Sequence, residues 1–209
     1  MMDYLEGIEK KFMDSYEVDN NVISAVPSPL VSIRTSTYQH VKYIGQCIEG
    51  VLMQKTNFPI EYIIGEDYST DGTREIVLEY ARKYPHVIRV ITADYNVGAK
   101  ANGRRCENAI RGKYVALCEG DDYWTDPYKL QKQVDSLEEN PEYGMVFTRC
   151  CVLDMNTNTI TDPDPDYTID FFDKYEKEIL INKIIEQRIR IRTPAVLYRK
   201  KSKMRSGMN

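Results

Sequence analysis

Short apolar runs alternate with stretches of helical periodicity between residues 29 and 140. Each run has the length and continuous apolar character of a buried parallel strand. The four runs are Leu30–Ile33, Glu61–Ile64, Val87–Ile91 and Tyr114–Cys118. Because strands and helices alternate, the pattern predicts an α/β fold with a mostly parallel sheet and helices on both faces.

Three of the intervening segments place apolar residues on one helix face. These residues are, segment by segment, Val41, Ile44, Ile48, Val51 and Leu52; Ile76, Val77, Tyr80, Ala81 and Tyr84; and Leu130, Val134 and Leu137. Asp126 and Pro127 predict the start of the last helix, as its N-cap and its first helical residue. A fourth segment, Ala99–Ile110, is polar, which is typical of an exposed charged helix or of a helix whose first turn binds anions.

The remaining segments divide the chain into an N-terminal helical extension with a linker, residues 1–28, and one domain, residues 29–209. Leu5, Ile8 and Phe12 have helical spacing within the extension. Beyond the last periodic helix we expect a β-rich run, a loop, an apolar helix and a final strand. Their ranges are Met145–Leu153, Asn156–Tyr167, Phe171–Glu186 and Arg192–Tyr198.

Composition narrows the class of protein. The chain has 209 residues, of which 42% are hydrophobic and 29% charged, as expected for a globular domain with a sizeable core. The charged N-terminus does not resemble a signal peptide, and no apolar run approaches the roughly 20 residues that span a bilayer. Five cysteines without a CxxC pair favour a reducing, cytoplasmic location, and only two histidines argue against a zinc site.

Charge is distributed unevenly. Eight basic residues and no acidic one lie from Arg188 to Arg205. Because the net charge of the whole chain is −4, the other residues together carry a charge of −12. An acidic body argues against nucleic-acid binding. The basic stretch is typical of a solvated segment, and two alternatives stay open: peripheral contact with the cytoplasmic face of a membrane, or proximity to a diphosphate.

The most informative stretch follows the fourth apolar run. An apolar strand, Tyr114–Cys118, leads directly into Glu119-Gly120-Asp121-Asp122. Carboxylates at the end of a buried strand need partners, and a hard divalent cation is a suitable one. Ligands of open α/β sheets bind at this edge, so we predict a metal–diphosphate site. A solvated turn that only leads into the next helix is the alternative.

Two other strand ends carry polar side chains. The first strand runs into Arg34-Thr-Ser-Thr-Tyr38, where hydroxyls and an aromatic ring either hold a base and ribose or cap the next helix. The second ends in Gly65-Glu66-Asp67. There is no GxGxxG after the first strand and no GxxxxGK[ST] anywhere, which argues against dinucleotide-binding and P-loop proteins.

Taken together, these residues resemble the family 2 glycosyltransferases, which have the glycosyltransferase A fold for nucleotide-diphospho-sugars. The resemblance extends from about Pro29 to Val152, and more loosely to Lys200. Its marks are Val31-Ser-Ile-Arg-Thr-Ser-Thr-Tyr38, Glu66-Asp-Tyr-Ser-Thr-Asp-Gly-Thr73, Asn96-Val-Gly98 and Glu119-Gly-Asp-Asp122. Several motifs in the family's order and spacing are far more specific than a lone Asp-Asp pair.

The resemblance implies donor-binding roles for ten residues: Thr35, Ser36, Tyr38, Glu66, Asp67, Lys100, Asn102, Arg104, Asp121 and Asp122. Residues Thr35–Tyr38 would contact the nucleoside, and Asp67 would accept a hydrogen bond from the base. Asp121 would touch the ribose or donor sugar, and Asp122 would bind Mn²⁺ or Mg²⁺. Glu66 stands where the family usually has Asp, and Lys100-Ala-Asn102 departs from the common Ala-Arg-Asn.

The implied reaction is transfer of a sugar from a nucleotide-diphosphate sugar, with UDP favoured, to the hydroxyl of a carbohydrate or lipid-linked acceptor. Resemblance implies inversion and a downstream carboxylate as general base. Past Tyr198 the sequence holds no carboxylate, and Asp162, Asp164 and Asp166 come too early. We therefore expect the general base beyond Asn209, in a C-terminal part missing from this chain, which would limit the activity of the chain alone.

Two other functions stay open from the sequence. A sugar nucleotidyltransferase would need a glycine-rich basic loop after the first strand, which Arg34–Tyr38 is not. A non-catalytic nucleotide-sugar-binding module would explain the absent base. The sequence also leaves open whether Trp124 stacks on a ligand or packs at the edge of the core.

Overall fold

The computed structural model describes residues 14–19, 28–162 and 191–200. The helices are α1 (Ile44–Leu52), α2 (Thr73–Lys83), α3 (Ala99–Ala109) and α4 (Lys129–Glu139). The strands are β1 (Tyr16–Glu17), β2 (Val31–Thr37), β3 (Ile60–Glu66), β4 (Ile88–Thr92), β5 (Tyr114–Leu117), β6 (Met145–Phe147), β7 (Val152–Asp154), β8 (Thr159–Thr161) and β9 (Val196–Arg199). A 3₁₀ turn, Thr193–Ala195, precedes β9.

Seven of these strands form one mixed sheet in the order β1-β4-β3-β2-β5-β9-β6. Its centre, β4-β3-β2-β5, is parallel, which confirms the predicted mostly parallel sheet. Strands β1 and β9 pair antiparallel with β4 and β5 at either side, and β6 pairs antiparallel with β9. Strands β7 and β8 form a separate hairpin.

Register sets where the central strands end. Thr37 of β2 lies opposite Glu66 of β3, and Arg34 of β2 lies opposite Leu117 of β5. The carboxyl ends of these three neighbouring strands therefore open at the same edge of the sheet. In parallel α/β sheets this edge is where ligands bind.

The core confirms the predicted helix faces. Ile44, Ile48 and Val51 of α1 pack with Leu130 and Leu137 of α4 in one buried cluster with the central strands. Trp124 belongs to the same cluster at 5% exposure, and its indole N–H donates to Pro194 O at 2.8 Å. The packing interpretation of Trp124 is therefore confirmed.

Several predicted boundaries were wrong. Val41 lies before α1 and is 38% exposed. Helix α4 begins at Lys129, because Asp126 forms a turn instead: its Oδ1 accepts from Tyr128 N–H and its carbonyl from Lys129 N–H. The polar helix α3 is not simply exposed, since it buries Asn102 and Arg105.

The C-terminal predictions were correct in part. The run Met145–Leu153 divides between β6 of the main sheet and β7 of the hairpin, and residues predicted as loop supply β8. The predicted strand Arg192–Tyr198 is shorter at its start, because the 3₁₀ turn precedes β9.

Near the N-terminus, Tyr16–Glu17 of the predicted extension pairs with β4. The predicted helices around Leu5 and at Phe171–Glu186 lie outside the described residues. No helix in the described part of the chain is long and apolar enough to cross a membrane.

Candidate functional site

Three loops meet at the carboxyl ends of β3, β2 and β5. Main-chain hydrogen bonds hold them to the sheet: Asp67 N–H donates to Thr37 O, and Gly120 N–H donates to Ser36 O, each at 3.1 Å. The loop after β2 is also tied to the loop after β3, because Gln39 N–H donates to Ser69 Oγ at 3.0 Å. We call the open edge bounded by these loops the crevice.

The loop after β5 is an acidic turn, Glu119-Gly120-Asp121-Asp122, closed by a hydrogen bond from Asp122 N–H to Glu119 O at 3.0 Å. Asp121 is exposed and Asp122 is half-buried. Burial, followed by the charges of Asp121 and Glu119, raises the pKa of Asp122 to about 6, and His40 and Arg192 only partly offset this. The turn therefore holds more negative charge than its surroundings neutralise.

This arrangement fits a divalent cation held jointly with an anionic ligand. Among the described residues, no group of three or more His, Cys, Asp or Glu side chains forms a cation cage. Mg²⁺ is commonly held by one or two carboxylates together with substrate phosphates rather than by a cage of protein ligands. The carboxylate oxygens of Asp121 and Asp122 are hard donors of the type that this mode of binding uses.

Gly120 lets the loop after β2 pack on the acidic turn. A Cβ atom on Gly120 would lie 2.6 Å from both His40 Nδ1 and Thr37 Oγ1. The turn can therefore approach these side chains only with glycine at this position. The sequence analysis did not assign His40 a role, and its only signal was its place two residues after Tyr38.

The hydroxyl and aromatic residues after β2 separate into two groups. The Thr35 side chain is fully buried, and its hydroxyl donates to Cys118 O at 2.6 Å and lies 2.8 Å from Tyr62 Oη. Ser36 is half-buried and Tyr38 is 45% exposed. The structure thus brings Ser36 and Tyr38, but not the Thr35 hydroxyl, to the surface of the crevice.

Glu66 and Asp67 are almost fully buried, at 1% and 2% exposure. Glu66 accepts hydrogen bonds from Ser69 N–H at 2.7 Å and from Arg74 Nη1 at 3.0 Å. Asp67 accepts from the N–H groups of Val97 and Gly98, both at 2.9 Å. Both carboxylates therefore brace the loops around the crevice, and the base contact of Asp67 stays a prediction.

The predicted donor-binding residues of α3 also fall into an exposed group and a buried group. Lys100 and Arg104 are exposed. Asn102 is 2% exposed, donates from its amide to Gly65 O at 2.8 Å and accepts from Arg105 Nε at 2.9 Å. Arg105, which the sequence analysis missed, also donates to Glu66 O at 2.8 Å. This buried pair fixes α3 against the end of β3.

Arg34 is a second basic residue that the sequence analysis left without a role. Its Nη2 lies 3.5 Å from Glu119 Oε1, and its Nη1 lies 3.9 Å from Glu107 Oε2. The side chain is 18% exposed. Arg34 thus places a positive charge beside the first carboxylate of the acidic turn. The available signal was a charged residue directly after the apolar run Leu30–Ile33.

Comparison with known proteins identifies the family. Residues 32–203 match the family described as "Glycosyl transferase family 2". The chain belongs to this family. The match covers the crevice, β9 and the parallel core except for Val31, so the glycosyltransferase domain includes the three loops of the crevice.

Curated relatives of this glycosyltransferase cover only part of its length. An uncharacterised protein of Mycobacterium tuberculosis is 47% identical over 117 residues, which are 56% of this chain and 34% of that protein. An uncharacterised glycosyltransferase of Methanocaldococcus jannaschii is 28% identical over 146 residues, 69% of this chain and 50% of that protein. The chain thus spans between a third and a half of these relatives.

A solved structure supports the glycosyltransferase A fold. The mannosyltransferase PcManGT from Pyrobaculum calidifontis, in complex with GDP-Man and Mn²⁺, superposes with a TM-score of 0.51 at 21% identity. The superposition covers 73% of this chain and 43% of that one. At this level of identity the likeness establishes the fold.

Proposed function

We propose that this family 2 glycosyltransferase binds a nucleotide-diphosphate sugar in the crevice and transfers the sugar, with inversion, to an acceptor hydroxyl. The acidic turn at the end of β5 carries the proposal, because its excess negative charge matches a metal-bound diphosphate. UDP is the favoured nucleotide, by resemblance alone. A carbohydrate or a lipid-linked sugar is the proposed acceptor.

Asp122 would hold Mn²⁺ or Mg²⁺, and Asp121 beside it would touch the ribose or the donor sugar. When bound, such an ion neutralises the charge that develops on the leaving diphosphate. Gly120 and the turn hydrogen bond to Glu119 O place the two carboxylates at the crevice. Arg34 holds Glu119 from the side of the sheet and keeps that carboxylate next to β2.

The other donor contacts divide by exposure. Ser36, Tyr38, Lys100 and Arg104 would contact the nucleotide directly. Glu66 and Asn102 would act through the loops they hold, because both side chains are almost fully buried. Thr35 would support the end of β2 from the core through its hydrogen bond to Cys118 O.

Thermal unfolding with and without UDP and Mn²⁺ tests the donor site. A ligand at about 100 times its dissociation constant adds roughly 2.7 kcal/mol, which is about 5–10 °C for a chain of this size. We expect a metal-dependent rise for the natural sequence and none for Asp122→Asn. Asp135→Asn, which changes an exposed carboxylate on α4, is the matched control and should keep the rise.

The same experiment separates other outcomes. A rise with GDP and none with UDP would keep the fold and change the donor. An equal rise in Asp122→Asn would refute the role of the acidic turn. Release of pyrophosphate from a nucleoside triphosphate and a sugar phosphate would favour a nucleotidyltransferase instead.

We also propose that the basic stretch Arg188–Arg205 makes peripheral contact with the cytoplasmic face of a membrane. Part of this stretch is engaged with the fold: Arg199 donates to Tyr143 O and Tyr114 Oη, each at 2.8 Å, and Lys200 donates to Ile110 O. The cations of this stretch other than Arg192, Arg199 and Lys200 would carry the contact. Binding to anionic vesicles that persists after these Lys and Arg residues are changed to Gln would contradict it.

A further inference from the structure

Tyr68 has a backbone conformation that is unusual for its residue type. Its φ is 61°, in the left-handed region that bulky L residues rarely adopt. It directly follows the buried pair Glu66 and Asp67, yet it is 42% exposed. Strained residues of this kind persist where the surrounding structure holds them, and they cluster at ligand sites.

The loops around Tyr68 account for that strained backbone. Glu66 accepts hydrogen bonds from the N–H groups of Tyr68 and Ser69, at 3.3 and 2.7 Å. Gln39, itself at φ 57°, donates from its side-chain amide to Thr70 Oγ1 at 3.0 Å and accepts from Thr70 N–H at 3.1 Å. The backbone at Tyr68 is therefore set before any ligand binds.

The ring of Tyr68 also has a fixed support. The guanidinium carbon of Arg74 lies 5.6 Å from the ring centroid, within the range of a cation–π contact. Arg74 is held in turn, because its Nη1 donates to Glu66 Oε2 at 3.0 Å and to Thr92 Oγ1 at 2.9 Å. An immobilised aromatic ring that is still accessible loses little entropy when it meets a planar ligand.

The position of Tyr68 indicates which part of a ligand it would meet. Strand β2 lies between β3 and β5, so the end of β3 is two strand spacings, about 10 Å, from the end of β5. With a diphosphate at the acidic turn and a ribose over the end of β2, the base reaches the end of β3. The base is the planar part of such a ligand.

We propose that the ring of Tyr68 packs against the nucleobase of the bound donor and contributes to the affinity of the site for nucleotides. The inference rests on the proposed donor-binding function. Because stacking on an aromatic ring tolerates every base, Tyr68 contributes to affinity for uracil and guanine alike. Discrimination between the two bases then comes from other residues around the crevice.

Calorimetric titration with UDP and with pyrophosphate, both with Mg²⁺, tests this role. We expect Tyr68→Gly to weaken UDP binding about tenfold or more, the effect of losing one stacked base, and to leave pyrophosphate binding unchanged. Tyr68→Phe keeps the ring and should retain UDP affinity. Glycine adopts left-handed φ without strain, so the unfolding midpoint of unliganded Tyr68→Gly should not fall.

Two control variants separate the ring from the backbone. Asn158→Gly makes the same change at another left-handed residue, φ 54°, in the β7–β8 turn. Tyr128→Ala removes a ring that is 48% exposed at the start of α4. Both should bind UDP as the natural sequence does.

Three results would overturn the inference, and only one of them would also refute the proposed donor site. Unchanged UDP affinity in Tyr68→Gly would refute the base contact alone. Equal weakening of UDP and pyrophosphate would show that Tyr68 acts only through the shape of its loop. Failure of the natural sequence to bind either probe would refute the proposed donor site and this inference with it.

Discussion

Glu61 of β3 and Arg89 of β4 form an ion pair that is almost completely withdrawn from water. Oε2 of Glu61 lies 2.9 Å from Nη1 of Arg89, and the side chains are 1% and 10% exposed. Glu61 also accepts from Ser32 Oγ at 2.5 Å and from Arg111 Nε at 2.7 Å. This network lies toward the amino ends of the strands, opposite the crevice, so it contributes to stability rather than to the site.

The first prediction concerns this ion pair. Glu61→Gln removes one of the two carboxylates that neutralise the buried Arg89 guanidinium, while Glu17 stays paired with it at 2.7 Å, so the expected cost is about 1–3 kcal/mol. We expect the unfolding midpoint at pH 7 to fall by about 2–12 °C. Glu138→Gln, which breaks an exposed pair with Lys113, is the control and should change the midpoint little.

The pH dependence of this effect has a definite sign. Burial raises the pKa of Glu61, but hydrogen bonds from Ser32, Arg111 and Arg89 outweigh it and leave the pKa below its ordinary value of 4.5. The stabilisation is therefore present above pH 4.5 and is lost as pH falls through the lowered pKa. A Glu61→Gln deficit that is as large at pH 3 as at pH 7 would contradict this account.

The second prediction concerns the packing of the acidic turn. Gly120→Ala introduces a Cβ into space held by Thr37 and His40, which costs about 1–3 kcal/mol and displaces the turn. We expect a lower unfolding midpoint and weaker UDP binding, measured by calorimetry. Gly144→Ala is the control, because a Cβ there meets nothing within 4 Å; equal loss of binding in both variants would refute the packing argument.

The third prediction concerns Asp67. Asp67→Asn turns one acceptor into a donor that faces the N–H groups of Val97 and Gly98, leaving a buried polar group unsatisfied at a cost of about 1–3 kcal/mol. We expect faster amide hydrogen exchange at these two residues. Asp71→Asn, on an exposed side chain of the same loop, should leave their exchange unchanged; unaltered exchange in Asp67→Asn would contradict the bracing role.

The fourth prediction concerns Asp122 in the unliganded protein. Burial and neighbouring carboxylates raise its pKa from 3.8 to about 6, so its ionised form destabilises the fold as pH rises through that range. After allowance for solvent screening, Asp122→Asn should stabilise the protein by about 1 kcal/mol at pH 7.5 and by nothing at pH 3. Thermal unfolding at the two pH values measures this.

Ionisation of Asp122 lowers the stability of the unliganded protein, but it should strengthen the binding of a metal-bound ligand. A cation requires ionised Asp122, so the affinity for UDP with Mg²⁺ should fall as pH drops below about 6. Pyrophosphate and Mg²⁺ should show the same decline. An affinity that stays constant from pH 7.5 to pH 5 would count against Asp122 as a metal ligand.

The periodic pattern of the sequence determined the parallel core. Strand β3 and helix α4 appear where the apolar spacing placed them, because burial of a continuous apolar run or of one helix face is decided by neighbours in sequence. The spaced motifs from Val31 to Asp122 likewise identified the family, which the match over residues 32–203 confirms.

Only the tertiary structure distinguished two acidic pairs that look alike in sequence. Glu66-Asp67 and Asp121-Asp122 each follow a buried strand. The first pair is enclosed, since Arg74, Val97 and Gly98 supply donors from other elements. The second pair has no comparable set of donors among the described residues, so its charge remains available to a ligand.

Long-range contacts also decided the features that local patterns missed. Arg34 meets Glu119 at the end of β5, and β9 joins the sheet antiparallel to a strand more than 80 residues earlier. The left-handed backbone of Tyr68 is held by Glu66, and Gln39 in the neighbouring loop binds Thr70, two residues further on. The sequence alone therefore determined the elements and the family, while contacts between distant residues decided which polar groups face the crevice.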